Sequence, residues 1–416
     1  MNNLLDTPNQ LWRPQRVIVA QLGARRHYAI PRMLYEARIL EHFYTDIYMF
    51  NGGASFLEKL PGYLQPTGLK RLLGRQQKAV PPEKITAFTS FGLEYYLRRS
   101  RAKTCSESIA VHLWAGQKFC NLILKKNFNQ VSGVYTFNSA GLELLQAAKA
   151  QGLKTIMEQT IAPLRIERQL LREERETFPD WEPPLLDDSF SEKFIEREQA
   201  EWQLADTILC GSEFVRESIA ACGGPVERCA VVPYGVDMRF PPIERPPHEG
   251  PLRVLTVGAV GLRKGSPYIL EAAKRLKGKA EFRMVGPIQV LPQAESQLRA
   301  YLELVGPVSR MEILKHYAWA DVFLLPSICE GSATVVYEAL ATGLPVICTP
   351  NTGSIVQDGV DGFIILIRDV ETIVERIEYL AKDASVLAKI GAVAVENYVQ
   401  ISLARYRTDL ISVVGS

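Results

Sequence analysis

Two glutamates with seven residues between them, Glu330 and Glu338, stand in the segment Pro326–Pro350, PSICEGSATVVYEALATGLPVICTP. One falls on a loop and the other on the helix that should follow it. Carboxylates placed in this way can accept hydrogen bonds from the many hydroxyl groups of a sugar. A second segment, Val257–Gly265, reads VGAVGLRKG and sets Arg263 and Lys264 at a helix start. Cations oppose the helix dipole there unless an anion binds as well. A diphosphate would resolve that conflict, and its charge would be stabilised as a bond to it breaks. Taken alone, each feature has a plainer account: Glu338 on a solvated helix face, and Arg263–Lys264 as surface charge.

The elements needed to position these residues can be read from the pattern. An apolar run ends at Leu325, Pro326 stops it, and Gly331 sits in the loop that follows. Ser332 or Thr334 can cap the next helix, and Gly343 with Pro345 closes it. A free helix N-terminus then faces the carboxyl end of a parallel strand, where open α/β sheets bind anionic ligands. Gly331 lets a ligand approach the backbone closely.

Short apolar runs alternate with helical patterns along the whole chain, which predicts parallel sheets covered on both faces. Strands are expected at Arg16–Leu22, Thr45–Met49, Gly133–Phe137, Lys154–Glu158, Thr207–Cys210 and Ala230–Val232, with helices over Leu142–Gln151 and Glu192–Leu204. Phe240–Pro251, FPPIERPPHEGP, is a proline-rich linker. Past it the series restarts, with strands at Arg253–Val257, Glu281–Val285, Asp321–Leu325 and Pro345–Cys348. Helices are expected at Ser266–Leu276, Arg310–Ala320 and Thr334–Thr342. The fold class is therefore α/β, with two doubly wound domains and a cleft between them.

The 416 residues are 47% apolar and 23% charged, which allows large cores, and the net charge of +2 gives no ground for nucleic-acid binding. Seven scattered cysteines show no metal-ligand spacing and are expected to be reduced thiols. Met1–Gln10 lacks the features of a signal peptide, and no apolar run is long enough to span a bilayer, so a cytoplasmic location is expected. Leu57–Lys103 holds ten Lys/Arg against three Asp/Glu, interleaved with Tyr63, Phe88, Phe91, Tyr95 and Tyr96. It reads as a solvated insertion, or as an acceptor-side or membrane-surface patch giving peripheral contact. Glu173–Asp188 reads as a long functional or connecting loop.

These segments together resemble glycosyltransferase family 4, retaining enzymes of GT-B architecture. Its E-x7-E motif corresponds to Glu330–Glu338, and the flanks to Ala320–Ser327, Gly343–Ile347, Asn351–Ser354 and Asp358–Phe363. Arg263–Gly265, Val232–Asp237 and Ala205–Ser212 fit as well, so the resemblance covers roughly residues 200–400. It implies two facing Rossmann-like domains: an acceptor domain over 1–237, a donor domain over 238–398, and a helix over 399–416 that crosses back to the first domain. It also implies that Arg263 and Lys264 hold the donor diphosphate and that Glu330 lies beside the donor sugar. Gly331, Ser332, Ala333 and Thr334 would present backbone or hydroxyl groups to the donor, and Glu338 would accept from its ribose.

The first domain departs from the family pattern. Only Gly23 represents the glycine pair after the first strand, and Arg25, Arg26 and His27 follow as candidate acceptor-side or phosphate contacts. After Gly258 the usual arginine is replaced by Ala259, so Arg263 is expected to serve. Where relatives have a histidine, the strand ends in Glu158-Gln159, which makes Glu158 a candidate for positioning the acceptor or for catalysis. No Asp-x-Asp occurs, so no metal and no cofactor is expected. The nucleotide-sugar, a UDP-sugar by default, is a co-substrate. The expected acceptor is a hydroxyl on a glycan, a lipid-linked glycan or a small secondary metabolite. Two other functions share these features: a nucleotide-sugar-binding protein that does not transfer, and a two-domain sugar-nucleotide epimerase.

Overall fold

The computed structural model describes residues 15–48, 79–126, 131–185, 189–236, 241–245 and 248–415, with the backbone alone at 398 and 399. Residues 57–78 of the basic segment and part of the proline-rich linker lie outside the described residues.

The first sheet has seven parallel strands: β1 (Val17–Gln21), β2 (Leu40–Thr45), β3 (Ile85–Ala87), β4 (Gly133–Phe137), β5 (Lys154–Gln159), β6 (Thr207–Cys210) and β7 (Cys229–Val231). Their spatial order is β3-β2-β1-β4-β5-β6-β7. The second sheet has six, from β8 (Leu252–Val257) and β9 (Ala280–Val285) through β10 (Glu303–Gly306), β11 (Val322–Leu325) and β12 (Val346–Cys348) to β13 (Gly362–Ile364). Their order, β10-β9-β8-β11-β12-β13, repeats the first. In each sheet the chain winds outward from a central strand, then crosses back to that strand's other side. The switch points lie between β1 and β4 and between β8 and β11, where such sheets open a crevice at the strands' carboxyl ends. The central strands are buried along their length, which explains their continuous apolar runs.

Several elements differ from the expected ones. The strand expected over 45–49 is β2, and it ends at Thr45. Its polar Glu41 and His42 broke the apolar run. They are tolerated because β3 pairs only with Phe43–Thr45, leaving Lys84 room to reach the Glu41 carbonyl at 3.0 Å. The described part of the basic segment is not a plain insertion: it supplies β3 and a helix, Thr89–Arg101. Helix Cys105–Leu124 begins on a capping box made by Thr104 and Glu107. The helix expected from Arg310 starts at Ile313. The expected loop over 173–188 begins as the end of helix Leu164–Thr177.

The chain crosses back at its end. Val236 N–H donates to the Ile401 carbonyl at 2.7 Å, and a Cβ at Gly235 would overlap the Ser402 carbonyl. Helix Leu403–Gly415 then lies on the first domain, where Lys154 Nζ reaches the Val413 and Val414 carbonyls at 3.4 Å. Tyr406, Leu410 and Val414 join an apolar core that also holds Tyr28, Met33 and Tyr135.

A second crossing was not expected. Residues 164–185 precede the linker, yet Leu170, Leu171, Phe178 and Trp181 pack into the core of the second domain. Tyr268 donates to Glu174 at 2.7 Å, and Arg368 donates to Glu174 at 2.6 Å and to Glu173 at 2.8 Å.

Candidate functional site

β8 and β11 deliver two loops to one place, and backbone contacts fix their relation. Ile328 N–H donates to the Arg263 carbonyl at 2.9 Å. Asn351 Nδ2 holds the Ile328 carbonyl at 2.7 Å, and Thr349 Oγ1 holds that of Ser327 at 2.6 Å. Gly265 adopts φ 71° just before helix Ser266–Arg275, and a Cβ there would overlap the Pro326 carbonyl. Only glycine serves both needs.

The expected charges converge. Lys264 Nζ lies 2.7 Å from Glu330 Oε1, and Arg263 Nη1 lies 3.3 Å from the same atom. Lys264 is 7% exposed. Burial pulls its amine below the usual lysine range, with Glu330 working against the shift and Arg263 adding to it. For Arg263 burial also works against the charge, but Glu330 and then Glu167 hold its guanidinium above the ordinary value. A Cβ on Gly258 would stand 2.8 Å from Lys264 Cε, so glycine there leaves the lysine its place.

Helix Thr334–Ala341 has Ala333 as its N-cap and no side-chain cap. The expected cap, Ser332, is turned to Tyr337, with its Oγ 2.8 Å from the phenol oxygen. Ala333 N–H is taken by the Thr352 carbonyl at 2.9 Å. Gly331 is packed against the other domain: its carbonyl accepts from Ser212 Oγ, and a Cβ would overlap the Thr160 carbonyl. The uncapped first turn, from Thr334 onward, remains the anion-seeking part of this loop. Glu338, one turn further on, accepts from Tyr317 at 2.9 Å, and burial raises its carboxyl above the ordinary value.

The first domain answers the expectations unevenly. Gly23 (φ 75°) faces open space, and its N–H donates to Asp46 Oδ1 at 3.0 Å. Arg25 donates to Thr160 Oγ1 at 3.1 Å. His27 Nε2 lies 3.2 Å from Arg310 Nη1 of the second domain. Arg26 and Glu158 are turned to each other. They pair with each other inside the protein, and Glu158, 2% exposed, also accepts from Tyr135 at 2.5 Å and Tyr234 at 2.9 Å. The Arg26 guanidinium lies over the Tyr234 and Tyr406 rings, 3.8 and 4.8 Å from their centroids. A carboxylate with three donors, shut off from solvent, is a structural counter-charge. Arg26, His27 and Tyr28 all hold left-handed backbone, with φ of 46°, 50° and 59°, each at a cost of about 1–2 kcal/mol. The buried Arg26–Glu158 pair helps hold them there.

Sequence reasoning missed residues that the second crossing brings in. Glu167 faces Arg263 and Glu330, and its carboxyl is raised by burial, with Glu330 adding to the effect and Arg263 opposing it. Glu182 Oε1 accepts from Leu262 N–H at 2.7 Å, beside the cationic turn. The proline-rich stretch that carries it reads as a functional or connecting loop, but nothing local ties Glu182 to Leu262, 80 residues on. Among the described residues, no group of three or more His, Cys, Asp or Glu is placed to hold a metal ion.

The chain is 29% identical over 170 residues to the amylovoran biosynthesis glycosyltransferase AmsK of Erwinia amylovora, over 37% of this chain and 42% of that one. It is 29% identical over 182 residues to an Escherichia coli UDP-Gal:alpha-D-GlcNAc-diphosphoundecaprenol alpha-1,3-galactosyltransferase, over 38% and 46%. The chain thus spans somewhat less than half the length of these curated relatives. Anabaena HepE, solved with UDP and glucose, superposes with a TM-score of 0.60 at 12% identity, over 96% of this chain and 98% of that one. The expected GT-B architecture, two facing Rossmann-like domains, is the one observed. Within it, residues 251–383, which carry Arg263, Lys264, Glu330 and Glu338, match the family model of the glycosyl transferases group 1.

Proposed function

We propose that this protein moves a hexose-type sugar from a nucleotide-sugar, a UDP-sugar by default, to a hydroxyl acceptor, with retention of configuration and without a metal. One observation carries the reading: Arg263 and Lys264 converge on Glu330 beside the uncapped start of helix Thr334–Ala341. A donor diphosphate there meets two cations and a helix N-terminus. As the bond from the anomeric carbon to the phosphate oxygen breaks, its electron pair leaves with the diphosphate, and the two cations stabilise that charge. The acceptor oxygen bonds to the anomeric carbon from the same face and passes its proton to the departing phosphate oxygen. Glu330 holds Lys264 in place and faces the sugar, while Glu338 takes the ribose hydroxyls. Because Glu158 is buried in an ion pair, positioning and charge stabilisation carry the reaction.

Likeness supports the choice of base and acceptor. HepE, which shares the fold, holds UDP and glucose. The curated relatives are named for building amylovoran and for galactosylating a lipid-linked acceptor. A glycan acceptor, free or lipid-linked, is therefore the preferred one, and a cytoplasmic place at a membrane surface goes with it. Calorimetric titration with UDP, GDP and ADP in EDTA tests the donor site. Binding of one base, lost in Lys264→Ala, is the expected result. A folded protein that binds none of them would defeat the proposal. Product analysis with the matching sugar donor and a glycan acceptor then separates transfer from binding or epimerisation.

A further inference from the structure

The turn that presents Arg263 and Lys264 is a single 3-10 turn, Leu262–Lys264, following an extended Gly261. So short a turn has little stiffness of its own. Ser266 Oγ accepts from Gly261 N–H at 2.9 Å, which secures its entry. The next amide, Leu262 N–H, is held from outside by Glu182, on the segment that crosses from the other half of the chain.

That segment is anchored along its length. Trp181, 6% exposed, lies in the second domain's core, and its carbonyl accepts from Leu291 N–H at 2.7 Å. Phe178 stands edge-on to Tyr268 at 5.6 Å. Arg175 fixes the far oxygen of Glu182 at 2.6 Å, and its Nε holds the Pro183 carbonyl at 2.8 Å. Each Glu182 oxygen thus has a partner, one on the segment itself and one on the cationic turn. A Cβ on Gly261 would approach Glu182 Oε1 to 2.7 Å, so glycine at 261 leaves the carboxylate its place. The carboxylate also lies within electrostatic reach of Arg263.

We infer that Glu182 is a positioning residue for the diphosphate-binding cations, and that residues 164–185 are a working part of the donor domain supplied by the first half of the chain. The inference rests on the donor reading above. Glu182 touches neither sugar nor phosphate. It fixes the backbone from which Arg263 and Lys264 reach Glu330, so it acts on the part of the ligand those cations meet.

The experiment compares a nucleoside diphosphate with its monophosphate, UDP with UMP, or the GDP and ADP pairs if the wild type takes those bases. Calorimetry is run on the full chain and on Glu182→Ala, Glu182→Gln and Gly261→Ala. Glu182→Ala is expected to weaken UDP binding about tenfold, the effect of one lost charge-assisted hydrogen bond, and to leave UMP within about twofold of wild type. Glu182→Gln keeps an acceptor for Leu262 N–H and is expected to return most of the UDP affinity. Gly261→Ala displaces the carboxylate without removing it and is expected to follow Glu182→Ala. It also decides the question should Glu182→Ala fail to fold. Wild-type UDP affinity in both Glu182→Ala and Gly261→Ala would overturn the inference while leaving the donor site standing. An equal loss for UMP, or no recovery in Glu182→Gln, would reduce Glu182 to a structural contact and overturn it too. A wild-type protein that binds no nucleoside diphosphate removes the donor reading and this inference together.

Discussion

Lys264 Nζ lies 2.7 Å from Glu330 Oε1, so the two charges most suited to a donor's diphosphate and sugar compensate each other. Removing the cation leaves a carboxylate in a largely buried site, with Arg263 at 3.3 Å and the carboxyl of Glu167 facing it. Lys264→Ala is expected to weaken nucleoside diphosphate binding about a hundredfold, since it removes both a phosphate partner and the order of Glu330. Calorimetry reads this directly. An affinity within threefold of wild type would place the diphosphate elsewhere.

The same lysine sets a pH dependence. Burial lowers its pKa, so it loses its proton at a lower pH than an exposed lysine does. Diphosphate affinity is therefore expected to fall on the alkaline side, beginning below the ordinary lysine value of 10.5. Lys264→Arg should abolish that limb, because an arginine stays charged. A pH series of titrations on the two proteins decides the point, and identical alkaline limbs would exclude Lys264 as the source.

Glu338 combines an expected function with a stability cost. Its folded-state pKa lies above the ordinary glutamate value of 4.5 because burial penalises the carboxylate. The folded state thus holds that proton more tightly than the unfolded one. The associated stability is present at acid pH and is lost as pH rises through the raised folded value. Glu338→Gln is expected to match wild type in acid, to melt higher than wild type at neutral pH, and to bind nucleotide about tenfold more weakly through a lost ribose contact. Equal nucleotide affinity would remove Glu338 from the site.

Arg26 and Glu158 predict a different pattern. Arg26→Ala strands a carboxylate that is 2% exposed, a change expected to cost about 3–5 kcal/mol of stability. Urea unfolding measures it. Protein that still folds should transfer sugar at a rate within a few-fold of wild type at low temperature. A collapse of activity with stability unchanged would return Glu158 to the chemistry.

Helix Thr89–Arg101 carries Leu93, Tyr96 and Leu97 exposed on one face, with Arg99, Arg101 and Lys103 close by. If the acceptor is lipid-linked, this face suits an anionic bilayer. The protein is expected to float with vesicles containing phosphatidylglycerol, and a Leu93→Glu, Tyr96→Glu, Leu97→Glu variant to stay behind. Equal flotation of the two would reject this face.

By itself the sequence determined the local units: apolar runs broken by glycine and proline, and the loop-helix placements of Glu330, Glu338, Arg263 and Lys264. Strand identity and helix starts follow from neighbours within a few residues, so periodicity and turn chemistry exposed them. The Thr104–Glu107 capping box is equally legible, since its two residues stand three apart. Only the tertiary structure decided which charges face the cleft. Glu158 stands one residue before the end of β5, but its partner Arg26 lies 132 residues away, and the pairing depends on the left-handed path of residues 26–28. Glu182 is joined to Leu262 across 80 residues, by a segment whose proline-rich sequence suggests only a loop. Pairings at such separations depend on how distant parts of the chain pack, within the first domain for Arg26–Glu158 and between the two halves for Glu182–Leu262, and no local pattern encodes that.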